Sequence, residues 1–352
     1  MAAMAADGGP GHPRHVEFGP DHHLIDAPTV ESMKSDGHRS RPLRFGLHTA
    51  LPRGTDFGAF AISVQEAGFD VLTIPDHLVA SLSPFAGATA AAVATSRLHT
   101  GTLVLNNDLR HPVETAREAA TVAAVSGGRF ELGLGAGHMK SEYDAAGIRF
   151  DEGGTRVERL IEAVDVIRPL LAGESVDVDG AHYCVRAEAG ELVAPPGVSV
   201  PLLIGGNGTR VLGLAGRVAD IAGLAGFRHN RDATKVNLTH FDPAGLKDRI
   251  AVVRDAAGDR FDAIELNALI QFVVHTDDRE ASAAELAAAL GGVTPEFVLE
   301  SPFVLLGTHE QMAEALVERR QRFGVSYWTV FDEWVGRESA MPDIAKVIAL
   351  LR

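Results

Sequence analysis

RFELGLGAGHM, residues 129–139, carries an apolar run straight into Gly133, Gly135 and Gly137. An apolar strand ending on glycines opens a nucleotide-binding sheet when it is the first strand of its domain, and is one strand end among several when it follows others in a barrel. The flanking sequence separates the two cases. Upstream come three strand-then-helix units: LRFGLHTA (43–50) with DFGAFAISVQEAGF (56–69), DVLTIPDH (70–77) with PFAGATAAAVATS (84–96), and HTGTLVLNNDL (99–109) with HPVETAREAATVAAVSGG (111–128). Downstream, Val157, Leu160, Ile161, Val164, Ile167 and Leu171 fall on one helical stripe with charges opposite, the pattern of a helix packed on a sheet.

Four more strands follow in VPLLIGGNG (200–208), ADIAGLAGF (219–227), AIELNALIQFVVH (263–275) and VSYWTVF (325–331). They are continuous apolar runs, as strands covered on both faces are, and not alternating ones. Eight such units predict an α/β fold, a (β/α)8 TIM barrel over residues 43–352 as a single domain with insertions. The insertions are a β-hairpin in SVDVDGAHYCV turning at Asp179 and Gly180, and an extra helical stretch near 295–302. Residues 1–42 lack either secondary-structure period and read as a flexible leader, its His12, His15, His22 and His23 as solvated rather than metal-binding.

The bulk properties exclude several classes. A formal charge of −15 over 352 residues argues against a nucleic-acid or anionic-membrane surface. No apolar run is long enough to span a bilayer and no secretory signal opens the chain, so the expected location is the cytoplasm. The single cysteine, Cys184, excludes an internal disulfide and a Cys-cluster zinc site, and reads as a small semi-buried filler. No metal site is expected.

In a barrel of this kind the chemistry sits at the C-terminal strand ends. Those ends carry His48, Asp76 with His77, Asn106, the run Gly135 to His138, and the run Gly205 to Arg210. Glycine removes the Cβ that keeps a flat ring or a phosphate off the backbone, and a following helix N-terminus offers N–H groups to anionic oxygens. Arg210 stands in a first turn, where the helix dipole disfavours a cation, which is sensible beside a bound anion. His77 has the side chain whose pKa lies nearest neutrality, suited to moving a proton. Asp76 beside it reads as a catalytic partner or as a cap for the next turn.

Taken together, RFGLHTA, AGFDVLTIPDH, the stretch from TGTLVLNNDLRHP to VSGGRFELGLGAG, and VPLLIGGNG resemble the bacterial luciferase-like superfamily. More narrowly they are similar to its deazaflavin (coenzyme F420)-dependent oxidoreductases, typical of actinobacteria, and the resemblance covers roughly residues 43–335. It implies hydride transfer between coenzyme F420 and a small organic substrate, with dimers common. Residues Leu103 and Val104 would form a bulge behind the ring, often with a non-prolyl cis peptide. His48, Asn106, Gly135, Ala136, Gly137, His138, Gly205, Gly206, Asn207, Gly208, Thr209 and Arg210 complete the implied cofactor-binding set. His77 and Asp76 would be catalytic, while Lys140, Arg210, Arg228 and Arg231 are candidate partners for an acidic cofactor tail. His138 stands where several relatives carry an acid. Three other readings stay open: an FMN-dependent monooxygenase using oxygen, a cofactor-free accessory barrel, and an S-adenosylmethionine methyltransferase suggested by ELGLGAG alone.

Overall fold

The computed structural model describes residues 37–50, 56–79, 82–230, 236–332 and 338–352, which belong to one compact unit, Ser35–Arg352. Its centre is a barrel of eight parallel strands: β1 Arg44–His48, β2 Val71–Ile74, β3 His99–Thr102, β4 Phe130–Gly135, β5 Leu202–Gly206, β6 Ile221–Leu224, β7 Glu265–Ile270 and β8 Tyr327–Phe331. They run in the order β3-β2-β1-β8-β7-β6-β5-β4, and Thr100 pairing with Phe130 and Gly101 with Glu131 closes β3 onto β4. RFELGLGAG is therefore the fourth stave of a closed cylinder, not the first strand of an open sheet.

The strands are covered on both sides, as their continuous apolar runs require; every residue of β2 and β4 is buried. The helices follow from local chemistry. Asp56 accepts from the Ala59 N–H at one N-terminus, a Thr308–Gln311 capping box opens another, and Gly127 in the left-handed region ends Pro112–Ser126. Along Gly153–Ala172 the buried positions are Leu160, Ala163, Val164, Val166, Ile167 and Leu170, one stripe against the barrel wall.

The N-terminal end of the barrel is plugged. Arg44 pairs with Glu131 from β4 and Glu265 from β7, and its guanidinium lies 4.5 Å from the Tyr327 ring centroid.

Several sequence expectations change. The seventh strand ends at Ile270: Gln271 donates its N–H to Phe303 O (2.8 Å), and Phe272–His275 leaves the barrel to pair in parallel with Val304–Gly307. The helical stretch expected near 295–302 is Pro295–Glu300. The hairpin forms between Val176–Asp179 and Cys184–Ala187, but its turn spans 180–183, because Glu162 accepts the N–H groups of Ala181, His182 and Tyr183. Cys184, read as semi-buried, is exposed. Of the expected leader, residues 1–36 and all four of its named histidines lie outside the described residues. Its last part, Gly37–Ser40, is a helical turn whose buried His38 has Nε2 2.9 Å from Phe261 O. Among the described residues no helix is long and apolar enough to cross a membrane.

Candidate active site

A cavity of about 470 Å³ opens at the C-terminal strand ends, within the size range of small-ligand sites. Its lining takes in His48, Asp76, His77, Leu103, Val104 and Asn106, the turn Gly135 to His138, and the turn Gly205 to Gly208. Residues far apart in sequence thus meet because each ends a stave of the same barrel.

After β3 the chain turns inward through a cis peptide between Leu103 and Val104. Val104 lies between the two glycine turns: a Cβ on Gly135 would stand 2.5 Å from its Cγ2, and one on Gly205 2.8 Å from its Cγ1. The bareness of these two glycines accordingly admits Val104, where the sequence reading had it admit a flat ring or a phosphate. Gly137 is bare for another reason. Its φ is +75°, and a Cβ there would meet Tyr143 Oη at 2.2 Å and Asn106 Oδ1 at 2.4 Å. Asn106 itself is tied into the turn, accepting from Tyr143 Oη (2.9 Å) and from the Asp108 N–H (3.1 Å).

Asp76 is buried, and its carboxylate is engaged. Arg110 grips both oxygens, one at 3.1 Å from Nη2, and Oδ2 also accepts the Asn106 N–H at 3.0 Å. With those bonds made, Asp76 braces the turn after β3, the capping alternative of the sequence reading in a longer-range form. His77 differs. Its Nδ1 lies 2.9 Å from Oε1 of the buried Glu142, whose Oε2 accepts the Leu78 N–H (3.2 Å), and its ring meets that of His138 edge to face with centroids 5.4 Å apart. His48 is fully enclosed, with Nδ1 3.0 Å from Thr73 Oγ1. Burial, reinforced by the nearby His77, lowers its pKa to about 3, so it is a neutral wall residue near pH 7.

The second glycine turn ends at Gly208, which lines the cavity and begins the helix Thr209–Val218 with no side-chain cap. Thr209 and Arg210 lie beyond the cavity wall. Thr209 Oγ1 accepts from Arg249, and Arg210 pairs with Glu158 on the surface at 3.1 Å, so it is balanced by a carboxylate and not by an anion in the cavity. Lys140 likewise pairs with Asp144 at 2.6 Å, the Arg228 side chain is not described, and Arg231 lies outside the described residues. Two buried amide oxygens of cavity-lining residues, Asn207 Oδ1 and Asn267 Oδ1, have no hydrogen-bond partner among the described residues. Such acceptors call for a donor from a ligand or water.

Sequence reasoning missed Glu142, Arg110 and Arg156. Arg156 lines the cavity, donates to Ala136 O (3.2 Å) and Gly137 O (3.3 Å), and lies over Phe150 with 4.0 Å to the ring centroid, holding the first glycine turn from behind. For Glu142 a signal existed: it is an acid in the first turn of the short helix Lys140–Ala146 that follows the glycine turn.

A closed parallel barrel with a cofactor-sized cavity at its C-terminal mouth, glycine turns on adjacent strands and an imidazole–carboxylate pair in the wall defines a (β/α)8 ligand-binding barrel of enzymatic build. Residues 41–327 match the luciferase-like monooxygenase family, and the chain belongs to it. It is 33% identical to the F420-dependent glucose-6-phosphate dehydrogenase of Nakamurella multipartita over 253 residues, 68% of this chain and 70% of that protein. To the protein of the same description from Beutenbergia cavernae it is 35% identical over 175 residues, 47% of this chain; the match spans about half (51%) of that relative's length. Among solved structures, an F420-dependent secondary alcohol dehydrogenase in complex with an F420-acetone adduct superposes with a TM-score of 0.69 at 21% identity, covering 89% of this chain and 100% of the other, a likeness of fold.

Proposed function

We propose that this protein is an oxidoreductase passing a hydride between the deazaflavin coenzyme F420 and a small organic substrate at the barrel mouth. The observation that carries the reading is the joint presence, in one cavity, of the Leu103–Val104 shelf, the uncapped turn at Gly208 and the His77–Glu142 pair. The F420-dependent relatives support the choice of cofactor.

The residues present suit a deazaflavin. Leu103 and Val104 offer an apolar surface for a planar ring, Asn207 Oδ1 and Asn267 Oδ1 are acceptors for imide-type N–H donors, and the N–H groups after Gly208 suit a phosphate. Bound there, the cofactor supplies a carbon that gives or takes hydride. His77 moves the accompanying proton. Glu142 meets Nδ1 and fixes the ring, so Nε2 is the nitrogen at which the proton is exchanged with the substrate. His48, being neutral, adds no second charge beside it. Asp76 positions the shelf through the Asn106 N–H and takes no part in the proton transfer. A homodimer, common in the superfamily, completes the proposal.

The test is titration of the full chain with coenzyme F420 and, separately, with FMN, followed by fluorescence quenching. Tight binding of F420 with weak or no binding of FMN is the expected result. FMN binding alone would transfer the reading to a flavin monooxygenase, and binding of neither would remove hydride transfer from this cavity.

A further inference from the structure

We propose that His275, His309 and Asp343 form a zinc-class transition-metal site that clips the last helix of the chain to the barrel. None of the three lines the cavity at the strand ends. They come from three separate elements. His275 ends the segment Phe272–His275 and pairs in register with Gly307 of Val304–Gly307; His309 is the first residue of the helix that follows, His309–Phe323; Asp343 sits in the first turn of the terminal helix Met341–Leu351. The departure of the chain from the barrel at Gln271, which the sequence did not reveal, is what carries His275 to the other two.

The geometry is that of a site one small movement from closure. His309 Nε2 lies 2.9 Å from Asp343 Oδ1, the two imidazoles are stacked with centroids 4.1 Å apart and planes 9° from parallel, and one ligand atom of each residue lies within 4.8 Å of the others. With zinc–nitrogen and zinc–oxygen bonds of about 2.0–2.2 Å, two ligands on one tetrahedral ion stand roughly 3.4 Å apart. The His309–Asp343 pair needs to open by only a few tenths of an ångström. The remaining closure falls to His275, which is exposed and therefore able to turn, while the other two are half-buried and held.

The donor set fits the ion class. Two imidazoles and one carboxylate are nitrogen and oxygen ligands suited to zinc, cobalt or nickel and not to calcium or magnesium, and solvent beside His275 supplies the fourth position. A divalent ion shared by all three uses every donor at once. The opposing factor is that His309 and Asp343 both lie in first turns, where helix dipoles disfavour a cation. The site is accordingly weaker than a closed structural zinc site, and its effect is to fasten the terminal helix, since the unfolded chain does not assemble the three ligands.

The experiment uses the full untagged chain, stripped with a chelator and titrated with zinc chloride by calorimetry, with the melting temperature followed in parallel and F420 binding as an independent control. The parent is expected to show a saturable zinc-binding step and a rise of a few degrees in melting temperature. His275→Ala is expected to lose both while keeping its fold by circular dichroism and its F420 affinity. Asp343→Asn, which keeps a hydrogen-bonding group, is expected to weaken zinc by at least about tenfold, the loss that even a supporting group incurs. Absence of zinc binding in the parent would overturn the proposal, as would a zinc step of unchanged stoichiometry and affinity in His275→Ala, which would assign the ion to other histidines such as those of residues 1–36.

Discussion

His77 Nδ1 and Oε1 of the buried Glu142 lie 2.9 Å apart, joining the loop after β2 to the helix after β4 across the wall of the cavity. A buried carboxylate beside an imidazole fixes the ring's orientation. His77→Ala is expected to slow turnover by roughly 10²-fold or more. Glu142→Gln should slow it by a smaller factor, since the carboxylate that orients the ring is gone. The cofactor dissociation constant should stay within about threefold in both, as neither change removes the apolar shelf. A Glu142→Gln enzyme with the parent's turnover would remove Glu142 from the positioning of His77.

Val104 makes a second prediction, about packing. Gly135→Ala brings a Cβ to 2.5 Å from Val104 Cγ2, and overpacking of that kind costs about 1–3 kcal/mol. Trimming the neighbour should restore the balance, so Gly135→Ala with Val104→Ala is expected to be more stable than the sum of the single changes by more than about 0.5 kcal/mol. Urea denaturation of the four proteins measures the coupling, and strict additivity would show that Val104 is not what occupies the space above Gly135.

The barrel was readable in the sequence because eight apolar runs of strand length alternate with amphipathic helices, and each run corresponds to one stave. What escaped was long-range partnership. Nothing local marks Arg110 as the partner of Asp76, nor tells that Gly135 is bare for Val104, because both depend on how the turn after β3 folds into the barrel mouth. The break at Gln271 escaped for the opposite reason: QFVVH is as apolar and β-prone as the strand before it, and only the availability of Val304–Gly307 as a partner draws it away. Arg210 was misplaced because a first-turn position fixes which end of a helix a residue occupies and not which side it faces; its side lies toward Glu158.

The Asp76–Arg110 pair separates bracing from catalysis. Removing one member of a largely buried, hydrogen-bonded ion pair leaves the other uncompensated, so Arg110→Met should destabilise the protein by about 3 kcal/mol. Asp76→Asn should also destabilise it, and the double variant should be well short of additive. Equilibrium unfolding gives both quantities. Should Asp76→Asn leave stability within about 0.5 kcal/mol of the parent and abolish turnover, a direct chemical role for Asp76 would return.

His48 sets a dependence of stability on pH. Burial lowers its pKa from 6.5 to about 3, while the unfolded chain keeps the ordinary value. Between these two values the unfolded state binds a proton that the folded state refuses, so this contribution is fully present above pH 6.5 and is lost as the pH falls toward 3. The slope for one such group is about 1.4 kcal/mol per pH unit. His48→Asn retains a polar group toward Thr73 Oγ1 and does not titrate. The parent should therefore lose stability relative to that variant by roughly 2 kcal/mol between pH 7.5 and pH 5, with the difference flat above pH 7.5. Urea midpoints of the two proteins across that range make the comparison, and a difference independent of pH would mean that the His48 ring takes up a proton in the folded barrel.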